Sequence, residues 1–348
     1  MYRQSMLGPQ VKMMIRMKNK QSAGFSMVEL LVAMAVGVII MSGVFALHSA
    51  TRDAQQVNEA QMDMVADARF AIELISYDLR HVGMWGGTNV ADLIDCRADD
   101  STCTASSNGE NVPGDVTTTN DCATGTTLWA YDLTQPIFAT NNANPYGGTC
   151  IDTTAEGYVA NTDVLEIHYA DSNQPAGLLA NQAYIRSNFM NGRVFVGTTE
   201  PVLDAFEASP QTANHELYAY AYYISNFTDA AGDGIPSLRR AALVNGPEIQ
   251  NQVLISGVVD MQVQFGEDVD DDQIPDRYVD PDAVLEWGNI YSAKIWLVMQ
   301  SDKNQYGIDT TKKFFIAGDT AGTDFGGVDG KRHFMVSSVI NLRNMKQL

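Results

Sequence analysis

Residues 24–40 read GFSMVELLVAMAVGVII, an apolar run of membrane length whose fifth residue counted from Phe25 is a carboxylate, Glu29. A charge inside a bilayer-spanning helix costs a few kcal/mol or more, so one that occurs there calls for a partner or a function. From Phe25 to Leu47 Glu29 is the sole formal charge. At the standard helical rise this segment spans the roughly 30 Å hydrocarbon layer.

The flanks orient it. Arg3, Lys12, Arg16, Lys18 and Lys20 precede the run and no acidic residue accompanies them, which places the N-terminus on the cytoplasmic side and sends the rest across the membrane. A secretory signal would end in a small-residue cleavage site. Here a helical pattern continues instead. Ala54, Val57, Gln61, Met64, Ala68, Ile72, Ile75 and Leu79 recur at steps of three and four, and Asp53, Gln56, Glu59, Asp63, Asp67 and Glu73 take the other face. Gly83, Gly86 and Gly87 stop it, so the expectation is one helix of about 57 residues, on the order of 85 Å long.

A basic leader ending in Gly24, then Phe25, then Glu29 resembles the class III signal of type IV prepilins and type II secretion pseudopilins. The resemblance implies cleavage between Gly24 and Phe25 by a membrane-embedded prepilin peptidase and N-methylation of Phe25. It also implies a subunit-assembly role for Glu29, neutralising the N-terminal amine of a neighbouring subunit. The physics agrees: an ammonium and a carboxylate that are each costly in hydrocarbon relieve one another when paired. Ala33 and Gly37 add a small-xxx-small pair that lets helices approach closely. The chain departs from the pattern in two places. Its leader is 24 residues from Met1, where a start at Met17 gives eight and is the expected one. No proline interrupts the segment between Phe25 and Arg80.

The domain reading is a removed leader at 1–24, a transmembrane half-helix at 25–48, an amphipathic half at 49–82 and a globular head at 83–348. Of the 22 basic residues five lie in the leader, so the rest sets 17 against 42 acidic residues. Such a surface repels phosphate backbones, and no direct nucleic-acid contact is expected. Cys96, Cys103, Cys122 and Cys150 all fall within the Thr-, Asn- and Gly-rich region 96–150. An even count beyond a membrane span reads as two disulfides in an oxidising compartment. No C-x-x-C pair and no nearby histidine supports a metal. Of the three pairings, Cys96 with Cys103 and Cys122 with Cys150 closes the shorter loops.

Beyond Trp85 the pattern turns to short alternating runs: 163–170, 183–186, 193–196, 216–224, 253–265, 292–299 and 333–342. Loops at 104–127, 139–150 and 317–331 read as surface excursions. In the run ELYAYAYYI, three tyrosines are expected on one face, with Ala219 and Ala221 on the other. The fold class is therefore α+β: a long N-terminal helix carrying a large, mainly antiparallel β head. That size and the phrases YDLRHVGMWGG (77–87), GDGIPSLRR (232–240), LISGVVDMQVQFGEDVDDD (254–272) and VINLRN (339–344) resemble the PilW-like minor pilins.

The family implies a structural subunit that primes pilus assembly in the inner membrane and enters the filament near its tip. Twitching motility, adhesion and DNA uptake are the processes it implies. Other minor pilins, the major pilin, the prepilin peptidase, the inner-membrane assembly platform and membrane lipid are the implied partners. The head is expected in the periplasm and then on the surface pilus. Two alternatives stand beside this reading: a tip adhesin, and a minor pseudopilin of type II secretion, whose head is ordinarily smaller.

Asp268, Asp270, Asp272 and Asp276 stand at positions one, three, five and nine of a calcium-loop spacing. Gln273 takes the place of the turn glycine, and Val279 that of the bidentate glutamate. The readings left open are a solvated acidic hairpin and a Ca2+ site; no cofactor is otherwise required. No G-x-S-x-G, H-E-x-x-H or complete P-loop occurs, and the five histidines are scattered, so no enzyme is expected.

Overall fold

The structure is a computed structural model and describes residues 24–100, 103–106, 108–122, 128–301, 312–325 and 330–346. The leader, apart from Gly24, and the alternative start at Met17 lie outside the described residues. The chain divides into two compact units, one ending at Gln56 and the other running from Val57. The division falls inside a single helix, α1 (Met27–His81, 55 residues).

In the first unit every described residue, from Gly24 to Gln56, is exposed. Its apolar surface, from Met27 to Leu47, has the length and composition to cross a membrane.

In the second unit α1 buries Met64, Ala68, Ala71, Ile75, Asp78 and Leu79. From Met64 to Asp78 the steps of four, three, four and three are those of one face of a helix, and Ser76 and Leu79 widen it by one residue each. Ile72, expected on that face, is only half-buried; Ala71 lies inward in its place, where the helix approaches the sheets. After His81 the chain turns through Gly83 at φ +73°, a left-handed conformation open to glycine.

Two sheets follow, antiparallel throughout except for one short parallel pair. In the first, β1 (Ile94–Asp95), β5 (Gly192–Val196), β4 (Ala183–Ser187), β6 (Ala213–Ser225), β3 (Val164–Ala170) and β2 (Ile137–Thr140) lie in that order. The parallel pair is β1 with β5. The long β6 pairs β4 through its first residues and β7 (Ser237–Val244) through its last, and β8 (Glu248–Ser256) pairs β7. The second sheet runs β10 (Arg277–Val279), β9 (Val258–Glu267), β11 (Ile290–Gln300) and β12 (His333–Asn341).

The sequence reads one strand over 253–265, and here it needs correction. Gly257, at φ +80°, breaks the run so that β8 ends in the first sheet and β9 begins in the second. A Cβ at Gly257 would meet the Gln300 carbonyl oxygen at 3.0 Å, so the switch requires glycine on both counts.

The main core joins α1 to both sheets. Ala68, Ile75 and Leu79 pack with Ile167, Tyr222, Phe265, Ile295 and Ile340. Alternation along β6 sends Tyr220 and Tyr222 to this core and Ala219, Ala221 and Tyr223 to a second one behind the first sheet. Most described residues of the loops expected at the surface, 104–127 and 139–150, are exposed or half-buried, with 107 and 123–127 outside the described residues, but a few side chains of those loops and of the segment between them reach the second core. Cys122, Trp129, Tyr131, Tyr146 and Cys150 are buried in it, and the loop region covers the back of the sheet. The disulfides are Cys96–Cys103 and Cys122–Cys150. They anchor a region too poor in regular hydrogen bonding to hold itself by secondary structure.

Candidate functional site

Ser26 is the residue before α1 and behaves as its N-cap: its Oγ accepts the Val28 N–H at 3.3 Å. Glu29 occupies the third helical position and accepts the Ser26 N–H through Oε2 at 3.1 Å. Ser-Met-Val-Glu is thus a capping box, in which two amides without helical partners are satisfied reciprocally. The signal S-x-x-E stands in the sequence, but the cleavage reading of the same residues passes over it. Glu29 carries a negative charge in the first turn, where the helix dipole is positive. Phe25, the residue before the cap, is 86% exposed.

Glu29 also lies on a stripe. With Val28, Val32, Ala33, Val36, Gly37 and Ile40 it lines a shallow groove along the helix. Nothing lies within 4 Å of a Cβ built on Gly37, so the groove is open at its small residues. A second apolar helix seated there would bring its backbone close to this one and its end close to Glu29.

The second unit holds a buried carboxylate on α1. Asp78 accepts the Tyr169 hydroxyl at 2.7 Å and the Tyr222 hydroxyl, and the Arg240 guanidinium stands 3.7 Å away. Arg240 in turn lies over the Tyr220 ring, 4.1 Å from its centroid. Burial pushes the Asp78 carboxyl up, against the pull of the two tyrosines and Arg240. Sequence reading assigns Asp78 no role; the residue that gives it away is the tyrosine-rich β6 opposite.

A second buried group lies on β3. Glu166 accepts Trp129 Nε1–H at 2.7 Å and the Tyr146 hydroxyl, and burial pushes its carboxyl up to about 8. His168, two residues on, is buried beside the Trp129 ring, and burial pulls it down to about 4. Among the described residues its Nε2 has no hydrogen-bond partner.

Of the four aspartates singled out by spacing, the fold gathers three. Oxygens of Asp268, Asp270 and Asp276 lie within 4.8 Å of one another. Asp272 instead accepts the Ile274 N–H at 2.8 Å. Much of the set is engaged by its own loop: Asp268 accepts the N–H groups of Asp270 and Gln273, and Asp276 that of Val269. Gln273 is at φ +64°, so the chain makes the sharp turn without the glycine. Val279 lies in β10 against Phe265 and supplies no carboxylate. The Asp270 carboxyl is held above the ordinary range by Asp276 and then Asp272.

A cleft of about 730 Å³ opens between β9, the loops at 141–142 and 159–162 and the 316–325 segment. Asn142, Asn161, Asp260, Gln262, Asp280 and Phe325 are among the residues lining it. Asp260 is buried there, and its carboxyl is pushed up to about 6, by burial foremost.

Two family models match the chain. The prokaryotic N-terminal methylation motif covers residues 19–45, which includes Gly24, Phe25 and Glu29. The type IV pilus-assembly protein W model covers residues 221–344, from the second half of β6 through β12. Together they support a PilW-like type IV pilin. No match was found among curated proteins or among solved structures.

Proposed function

We infer that this chain is a minor pilin, a structural subunit that primes type IV pilus assembly at the inner membrane and is carried near the filament tip. The observation that carries this reading is Glu29. It opens an exposed apolar helix directly after the cleavage signal and shares a groove with Ala33 and Gly37. Cleavage after Gly24 would create an amine at Phe25, one residue from the amide that Glu29 now holds. Bringing a neighbouring subunit's amine to that carboxylate would neutralise two charges in hydrocarbon and fix the register of two helices. The partners on this reading are other minor pilins, the major pilin, the peptidase and the assembly platform, with the head in the periplasm. Twitching motility, attachment and DNA uptake follow from the filament. The role is structural, without catalysis. Purification of the Glu29→Ala protein from membranes tests it: the variant is expected to be processed and inserted but to bring down far less of its partner pilins. Unchanged partner recovery would overturn the reading.

A second reading, a tip adhesin, is favoured by the cleft beside β9. Its amides, carboxylates and aromatic ring suit a hydroxyl-rich or cationic ligand. Asn161→Ala with Gln262→Ala separates the two roles, since an adhesin loses attachment while its filaments remain.

A further inference from the structure

A groove of about 540 Å³ runs beside α1, walled by the helix on one side and by β3, β6 and β7 on the other. Phe70, Leu74 and Tyr77 follow one another along the helix wall at steps of four and three, with Glu73 beside them. The sheet wall holds Tyr218 and Tyr220 of β6, and Asp171 directly after β3. Phe70 is 56% and Tyr77 52% exposed, so two large rings stand half in water where the groove opens. It shares no residue with the groove at Glu29 or the cleft beside β9.

The groove already holds one cation. Beside Asp78 the Arg240 guanidinium lies 4.1 Å from the Tyr220 ring centroid. Tyr218, the next ring on that face of β6, stacks on Tyr220 at 5.6 Å and 21°, and among the described residues no cation lies over it. Around Tyr218 the charges are negative. Glu73, Asp171 and Glu216, which precedes Tyr218 by two residues on the same face of β6, form no ion pair among the described residues. Asp171 accepts from Asn173 and Glu216 from Gln182 Nε2, which are neutral donors. Burial foremost, and Asp171 with it, raises the Glu216 carboxyl against the pull of the Tyr218 hydroxyl. Three carboxylates thus surround an aromatic ring without the cation that its neighbour has.

We propose that this groove receives an arginine side chain of a partner protein, its guanidinium on the Tyr218 ring and paired with Asp171 and Glu73, and its apolar neighbours on Phe70 and Leu74. Arginine is favoured over lysine because a planar guanidinium both stacks on a ring and offers two N–H groups to a carboxylate. Arg240 on Tyr220 beside Asp78 is the same arrangement made internally. A protein is favoured over a free small cation by the open shape of the groove. Small-ligand pockets enclose most of their ligand, whereas Phe70 and Tyr77 lie where only a larger surface would cover them. Rings that receive an arginine are the pairing that carries most binding energy at protein interfaces. The formal charge of −20 draws a basic partner in. The assignment is independent of the role of Glu29.

The test passes the full-length, detergent-extracted protein over an immobilised peptide, acetyl-Leu-Arg-Leu-amide, and over the same peptide with citrulline, a neutral planar isostere, in place of arginine. The arginine peptide should bind about tenfold more tightly, equivalent to ~1.4 kcal/mol. Glu73→Gln with Asp171→Asn should remove about that advantage. Glu59→Gln with Asp63→Asn takes the same charge from exposed positions elsewhere on α1 and should leave binding unchanged. Tyr218→Leu should weaken the arginine peptide about fivefold, and Tyr218→Phe, which keeps the ring, should not. Equal binding of the two peptides, equal loss in the two double variants, or equal loss with phenylalanine and leucine at 218 would each overturn the proposal. Competition by free N-acetylarginine amide as strong as that of the free arginine peptide would make the groove a small-cation site and overturn the protein partner.

Discussion

The Glu29 carboxylate accepts the Ser26 N–H at 3.1 Å, one residue from the nitrogen that cleavage after Gly24 would convert to an amine. The same oxygens can cap their own helix or pair with a neighbour's ammonium, and the two roles separate by charge. A glutamine caps as well as a glutamate does but carries no charge. Glu29→Gln is therefore expected to lose partner pilins as Glu29→Ala does, about tenfold, equivalent to ~1.4 kcal/mol. Partner recovery should be quantified from equal amounts of membrane-extracted protein. Full recovery with glutamine and loss with alanine would make Glu29 a capping residue alone.

Asp78 links α1 to β3, β6 and β7 through Tyr169, Tyr222 and Arg240. Removing the carboxylate leaves the hydroxyls and part of a guanidinium in a buried site without their acceptor. Asp78→Ala should destabilise the protein by about 3 kcal/mol. Tyr169→Phe, which removes one hydrogen bond to a charged group, should cost about 2 kcal/mol. Tyr77→Phe, on the exposed face of the same helix, should stay within about 0.5 kcal/mol. Denaturant unfolding of the detergent-extracted chain measures all three, and equal effects at Tyr77 and Asp78 would contradict the assignment.

Stability should fall from mildly acidic to alkaline pH. Burial raises Asp260 to about 6, Asp163 to about 7 and Glu166 to about 8, from ordinary values near 4. In Asp163 the N–H groups of Asn142 and Val263 oppose that shift, and in Glu166 Trp129 Nε1–H does. A carboxyl raised in the folded state contributes stability that is complete below its unfolded pKa and lost as pH rises through the folded one. His168, lowered from 6.5 to about 4, acts oppositely: its contribution is lost as pH falls across that interval. Between about pH 4 and 6 three carboxyls lose stability while one imidazole gains it, so the melting temperature should already decline from about pH 4 to 5 and continue to fall toward pH 8.5. Glu166→Gln should flatten the upper part of the decline, and a melting temperature that rises from pH 6 to 8.5 would contradict this account.

The acidic loop can be tested for calcium through Asp270, whose carboxyl is held up by repulsion from Asp276 and Asp272. In chelator, Asp270→Asn removes part of that repulsion and should raise the melting temperature. In millimolar calcium the order should invert, because the wild type gains an ion that the variant binds less well. A difference between the two proteins that is the same with and without calcium would leave the loop a hairpin closed on its own amides.

The helix was legible from residues 25 to 79 because its two halves share one period and contain no breaker. Strands β3 and β6 were legible by alternation, in β6 because Tyr218, Tyr220 and Tyr222 alternate with alanines. Two arginines hid β7: SLRRAALV opens with three polar residues in four, yet Arg239 lies over the Phe227 ring and pairs with Glu156, while Arg240 serves Asp78 and Tyr220. Burial of the cysteine-bearing region was illegible for a different reason. It depends on Trp129, Tyr131 and two disulfides meeting a sheet whose strands lie far along the chain. At the candidate site the sequence carried the methylation motif that the family model matches over 19–45, and the S-x-x-E box stood within it. The groove that joins Glu29 to Gly37 needed only the helical period to be followed along that face.

The most direct measurement is the intact mass of the protein recovered from membranes. The account predicts a chain that begins at N-methylated Phe25 and is lighter by four protons for its two disulfides. A chain that keeps residues 1–24, or one cut after Leu47, would contradict it.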